Sequence, residues 1–254
     1  MPCKPEDWLP WLRQPLTPDK PRLLCFPYAG GGSWIFGRWP SFLDGEIQVL
    51  PVVPPGREHR LKEPPLECVQ EMARQMMQSV KGILGGAPYA LFGHSLGALV
   101  AFELCREIER SDCPLPQLLV VSGCRAPHLP RTWVPIHSLP PREFEKAVED
   151  RFGPLPLPLR RDKRTLEVYL RILRADMKAV ETYGFERSTP LRTPVLVCGG
   201  REDPFVPVGD LFPWVDLCGS RFVIELFPGG HFFLRENPRD FLKALKQHLL
   251  KMGS

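Results

Sequence analysis

Short, almost wholly apolar runs alternate along this chain with longer stretches in which apolar residues recur every three or four positions. The runs at 22–28, 47–53, 89–92, 117–122, 194–198 and 221–227 read as strands, most of them apolar throughout rather than alternating, as burial on both faces requires. Leu66, Val69, Met72, Met76 and Val80 recur near helical spacing and predict a helix over 64–84. Further helices are expected over 96–110, near 208–217 and over 238–252. Strands that alternate with helices imply a parallel sheet covered on both faces, an α/β architecture. The stretch 124–190 breaks this rhythm. It is rich in proline and charge, holds two predicted helices at 141–152 and 162–183, and reads as a lid over the carboxyl edge of the sheet, where such sheets bind ligands.

Composition narrows the picture only a little. A chain of 254 residues that is 43% hydrophobic and 10% aromatic, with a net charge of +4, is expected to pack as one domain over 1–254. The charge is too small and too dispersed for nucleic-acid binding. The longest apolar run, Ala98 to Phe102, falls far short of the ~18 residues of a membrane span. The N-terminal M-P-C-K-P-E-D-W lacks the basic and apolar regions of a secretory signal. Eight cysteines include no C-x-x-C pair. Reduced thiols, a cytoplasmic location, a monomer, no metal and no cofactor are therefore expected.

Candidate chemistry centres on Gly93-His94-Ser95-Leu96-Gly97, which fits G-x-S-x-G. Chance produces that pattern in roughly one chain in ten of this length, so its setting decides. It follows an apolar strand and opens a helix, the context of a nucleophile elbow in which Ser95 is lifted out of the sheet. A serine needs a base, and in such hydrolases the order is serine, acid, histidine. Of six histidines, His59 and His94 come too early, His128 and His137 lie in the insertion, and His248 is expected to face water from the last helix. His231, after the strand at 221–227 and the turn Pro228-Gly229-Gly230, is the candidate base. The acid is expected on the loop after the strand at 194–198, where Asp203 is the choice and Glu202 the rival; Asp210 and Asp216 read as solvated helix positions. The amide of Leu96 is one candidate oxyanion donor. The glycine-rich loop Phe26-Pro27-Tyr28-Ala29-Gly30-Gly31-Gly32-Ser33 supplies the other, Ala29 first and Gly30 second.

Several ordered motifs make a wider resemblance. F-P-Y-A-G-G-G-S, P-G-R-E at 55–58, F-G-H-S-L-G-A-L-V-A-F-E, L-R-A-D at 173–176, G-G-R-E-D and P-G-G-H-F-F together resemble type II thioesterases, free-standing α/β-hydrolases that accompany nonribosomal peptide and polyketide synthases. The resemblance runs from about Arg22 to the last helix. It implies an α/β-hydrolase fold with a mostly parallel sheet and a helical lid, Ser95 as nucleophile, Asp203 as acid, His231 as base, and the Ala29 and Leu96 amides as oxyanion hole. It also implies acyl thioesters on the phosphopantetheine arm of carrier protein domains as substrates. The alternatives are a medium-chain fatty acyl thioesterase or carboxylesterase and, outside enzymes, a non-catalytic binding protein of the same fold. Arg57 and Glu58 are expected to form a structural ion pair. The basic cluster at 160–164 is either a dock for an acidic carrier or the solvated start of a helix.

Overall fold

The computed structural model describes residues 4–13, 16–17 and 20–251. Six strands, β1 (Arg22–Phe26), β2 (Gln48–Pro51), β3 (Tyr89–His94), β4 (Leu118–Ser122), β5 (Val195–Gly200) and β6 (Phe222–Phe227), form one sheet in the order β2-β1-β3-β4-β5-β6. Every neighbouring pair is parallel. The helices are α1 (Pro5–Trp8), α2 (Trp39–Phe42), α3 (Val69–Val80), α4 (Leu96–Glu109), α5 (Pro141–Phe152), α6 (Leu157–Arg161), α7 (Lys163–Thr182), α8 (Phe233–Glu236) and α9 (Pro238–Leu250). Among the described residues no helix is long and apolar enough to cross a membrane.

Alternation along the strands divides the core. Leu24 and Phe26 of β1, Leu91 of β3, Leu119 and Val121 of β4, and Val195 and Val197 of β5 pack with α3 and α4. Leu23 and Cys25, Ala90 and Phe92, Val120, and Leu196 and Cys198 point the other way, towards Trp39 of α2, α8 and α9. Strands β1, β3, β4 and β5 thus bury both rows of side chains, whereas the edge strand β6 is only partly buried. That second layer is held by an aromatic cluster in which Phe241 meets Trp39, Phe92, Phe227 and Phe233 at ring centroid distances of 5.3–5.9 Å.

The insertion joins β4 to β5. Its helices α5 and α7 enclose a separate apolar cluster of Phe144, Val148, Leu155, Leu173 and Met177. Three expectations need correction. The helix expected over 64–84 begins at Val69, because Pro64 and Pro65 cannot supply the early backbone donors and Cys68 is extended at φ −141°, ψ 126°. The expected helix near 208–217 is two 3₁₀ turns, Val208–Asp210 and Phe212–Leu217. The proline-rich segment carries the short helix α6, started by Pro156 and Pro158, since proline suits a first helical turn.

Truncation of Phe241, which is fully buried in that aromatic cluster, is expected to cost about 3–5 kcal/mol as Phe241→Ala. Urea denaturation measures the loss, and activity per folded molecule stays near the wild type.

Candidate active site

Ser95 stands between the end of β3 and the first turn of α4 with φ 55°, ψ −116°. A non-glycine residue in that region carries strain of about 1–3 kcal/mol, which the surroundings must hold. They do so through backbone contact. The Ser95 amide donates to the Ser122 carbonyl at 2.9 Å, and the Ser95 carbonyl accepts from Ala98 at 3.0 Å. A Cβ at Gly93 would lie 2.0 Å from the Gly97 oxygen, and a Cβ at Gly97 only 2.2 Å from the Phe26 oxygen. Only glycine fits either place. The second contact presses the start of α4 onto the end of β1, which brings the Leu96 amide and the loop after Phe26 together.

Asp203 and His231 lie on the loops after β5 and β6. Asp203 Oδ2 accepts from His231 Nδ1 at 2.7 Å, while Oδ1 accepts from the amides of Phe205 and Val206 at 2.8 and 3.0 Å. A carboxylate only accepts, so Nδ1 carries the proton and the Nε2 lone pair of a neutral ring is left for chemistry. Glu202 is turned elsewhere and accepts from the Gly229 amide at 2.5 Å; Glu236 accepts from Gly230 at 3.1 Å. These two carboxylates pin the turn that carries His231. The His231 ring meets Phe205 at 5.4 Å, Phe232 at 5.1 Å and His94 at 5.0 Å. His94 immediately precedes Ser95, so the histidine loop rests on the serine elbow. Ser95 is partly exposed between buried neighbours, and its hydroxyl has no hydrogen-bond partner among the described residues.

His94 itself is completely buried, with Nδ1 2.9 Å from the Ser122 hydroxyl. Burial, and then the nearby His231, push its pKa well below the ordinary histidine value. It is a neutral spacer between serine and histidine loops. Burial pushes the Cys105 and Cys124 thiols up to about 12 and those of Cys25 and Cys198 well above their usual value. The other histidines are occupied away from this place: His137 with Glu181, His128 with Asp216, and His59 with the Asp7 carbonyl. His248, expected in water, instead meets Glu225 at 2.7 Å.

On the glycine-rich loop, Gly30 donates to Asp176 Oδ2 at 2.7 Å, which removes it as the second oxyanion candidate. The Ala29 amide has no acceptor among the described residues. Arg57 and Glu58 form no ion pair with one another. Arg57 pairs with Asp176, and Glu58 accepts from the Ser33 amide and hydroxyl at 2.6 Å each. Residues of the insertion reach the site: Phe152 lies 5.3 Å from Phe205, and Tyr169 and Leu173 of α7 pack over Gly30. The basic cluster spans the end of α6 and the start of α7: Arg160 pairs with Glu149, and Asp162 caps α7 by accepting from the Arg164 amide. Among the described residues no three His, Cys, Asp or Glu side chains group so as to hold a metal ion.

A strained serine after a central parallel strand, an acid–histidine pair on the loops after β5 and β6 and helices on both faces define an α/β-hydrolase. The family described as "Thioesterase domain" matches residues 21–249, and the chain belongs to it: it is a thioester hydrolase. It is 33% identical over 230 residues to the gramicidin S biosynthesis protein GrsT of Aneurinibacillus migulanus, covering 91% of this chain and 89% of that one. Thioesterase PikA5 of Streptomyces venezuelae is 34% identical over 242 residues, 94% and 85% of the two chains. Among solved structures, the type II thioesterase BorB from the borrelidin biosynthetic cluster superposes with a TM-score of 0.81 at 32% identity, over 93% and 94% of the chains.

His94 makes stability depend on pH. The unfolded chain takes up a proton below about pH 6.5, whereas the folded ring resists it. The contribution is therefore full above pH 6.5 and is lost as pH falls, at up to about 1.4 kcal/mol per pH unit. Urea denaturation at pH 7.5, 6.5 and 5.5 is expected to show this slope, and His94→Gln to flatten it.

Proposed function

We propose that the protein is an editing thioesterase that clears acyl groups from the phosphopantetheine arm of synthase carrier domains, with Ser95, His231 and Asp203 as its triad. The observation that carries the reading is the Asp203–His231 hydrogen bond, held in ring contact with the elbow that bears Ser95. The similarity to GrsT, PikA5 and BorB supports the synthase setting.

Ser95 Oγ attacks the thioester carbonyl carbon while its proton passes to His231 Nε2. The carbonyl oxygen becomes an oxyanion that accepts from the Ala29 and Leu96 amides, with the N-terminus of α4 adding its positive end. The carbon–sulfur bond then breaks, and the departing sulfur takes the proton from His231. A water activated by His231 attacks the acyl-enzyme, and the same steps in reverse order return Ser95 and release the acid. Asp203 keeps the imidazole in its tautomer and stabilises the imidazolium. Glu202 serves the turn rather than the ring. The acyl chain lies in the apolar cluster of Phe144, Val148, Leu173 and Met177 under the insertion, which acts as the lid. Carrier domains are the partner, and the working unit is a monomer.

Acetyl- and longer acyl-carrier protein, assayed beside the matching acyl-CoAs, separate this reading from a fatty acyl thioesterase or carboxylesterase. Turnover on carrier is expected to exceed turnover on CoA and to vanish in Ser95→Ala. Equal or better turnover of CoA or simple esters would remove the carrier partner while leaving the triad in place. Asp203→Asn is expected to lower kcat by about 10³–10⁴-fold, whereas Glu202→Gln stays within about tenfold of the wild type.

A further inference from the structure

The motifs P-G-R-E and L-R-A-D lie 119 positions apart at Arg57 and Asp176, yet meet in a buried pair. Arg57 Nη2 donates to Asp176 Oδ1 at 2.7 Å and Nη1 to Oδ2 at 2.9 Å, a two-pronged contact with Asp176 entirely shielded from solvent. Both partners also grip the glycine-rich loop. Asp176 Oδ2 accepts from the Gly30 amide at 2.7 Å, and Arg57 Nη1 donates to the Gly31 carbonyl at 2.8 Å.

The consequence emerges peptide by peptide. The Ala29–Gly30 peptide is held through its N–H by Asp176. The Gly31–Gly32 peptide is held through its carbonyl by Arg57. The Gly32–Ser33 peptide is held through its N–H by Glu58. The Gly30–Gly31 peptide donates to the Tyr28 carbonyl at 2.9 Å. That last bond fixes the Tyr28–Ala29 peptide as well. A trans peptide is planar, so a carbonyl fixed on one side aims the N–H to the other. The Ala29 N–H has no acceptor among the described residues, as is also true of the Gly32 N–H, and its direction is set by the engaged Tyr28 carbonyl on one side and the engaged Gly30 amide on the other.

We infer that Arg57 and Asp176 are positioning residues that aim the Ala29 amide at the oxyanion and tie that aim to helix α7. This deepens the proposed function and rests on its assignment of Ala29 to the oxyanion hole. The energetics favour such a role. A buried ion pair roughly breaks even against apolar packing, because desolvation offsets attraction, so stability alone is a weak reason to keep one. Arg57 Nε is buried without a partner among the described residues, which adds a further cost. What the pair supplies is direction. Asp176 shares a face of α7 with Leu173 and Tyr169, whose atoms lie 3.1–3.2 Å from where a Gly30 Cβ would be. Leu173 also belongs to the apolar cluster proposed to receive the acyl chain. The acyl wall and the oxyanion donor are thereby mounted on one helix.

The test uses Asp176→Asn and Arg57→Lys, with kcat, KM, the thermal midpoint and the affinity of an acyl trifluoromethyl ketone. In that ketone adduct the Ser95 oxygen bonds to the carbonyl carbon, the serine proton moves to His231, and the resulting oxyanion sits where the Ala29 amide points. Each variant is expected to lower kcat about 10–100-fold with KM within threefold, and to weaken the ketone by a similar factor. A kcat loss without weakened ketone binding, or a fallen thermal midpoint with normal kcat, would overturn the inference. Failure of both variants to fold would also overturn it, in favour of a structural pair. Full turnover in Ser95→Ala would instead sink the underlying reading of the site.

Discussion

The approach of Gly97 to the Phe26 carbonyl sets the geometry on which the candidate site depends. A side chain at position 97 would meet backbone rather than a movable side chain, so any larger residue must push α4 away from β1. That displacement would separate the Leu96 amide from the loop that carries Ala29. It would also relax the elbow, because the Gly93–Gly97 contact closes the same turn from the other side. The unusual φ of Ser95 is thus the product of three backbone segments packed without intervening side chains. Central strands β1 and β3, each buried on both faces, make the platform stiff enough to hold that strain.

Buried charge is distributed with similar economy, and much of it converges on α7. Near its middle Asp176 engages Arg57 and the glycine-rich loop. Near its end Glu181, also shielded, accepts from the Ile136 and His137 amides at 2.9–3.0 Å and meets the His137 ring at 2.7 Å. Just past its end Tyr183 donates to Glu103 of α4 at 2.5 Å, beside Arg106. Hydrogen bonds that involve a charged group are directional and stronger than neutral ones. The long helix of the insertion is therefore fastened at three levels, twice to the hydrolase body and once, through Glu181, to the insertion's own first segment, by contacts that tolerate little sliding.

Much of this was legible in the sequence, and the exceptions have physical causes. The strands were visible because doubly buried strands are uninterrupted apolar runs. The elbow was visible because its glycines are demanded by local geometry. Asp203 and His231 were chosen from chain order, and the structure brings them to 2.7 Å. Arg57 was assigned to the adjacent Glu58 because sequence shows only neighbours. Yet Arg57 is extended at φ −140°, ψ 161°, which sends successive side chains to opposite sides. Its true partner on α7, 119 positions away, has no local signature. His94 shows the same limit, since its burial comes from residues 28, 122, 231 and 232–233, which only the closed fold assembles.

The apolar cluster of the insertion has two walls. Leu173 and Met177 sit on the fastened α7, whereas Phe144, Val148 and Leu155 face them from α5 and the segment after it. The two sides meet through apolar contact, flanked by the Arg151–Glu181 pair at 3.5 Å and by Arg174 lying 4.1 Å over the Phe144 ring, and Leu157 and Val134 are left largely exposed. Apolar packing is non-directional, so it permits small shifts that charged hydrogen bonds resist. Each methylene buried between the walls is worth about 0.8 kcal/mol, or roughly a fourfold preference. A pocket of this kind discriminates only weakly between neighbouring chain lengths. An enzyme that must clear varied acyl groups is well served by that weakness. Under the proposed function, breadth of substrate comes from the apolar lining, while the oxyanion geometry stays constant because the glycine-rich loop is anchored to α7 through Asp176.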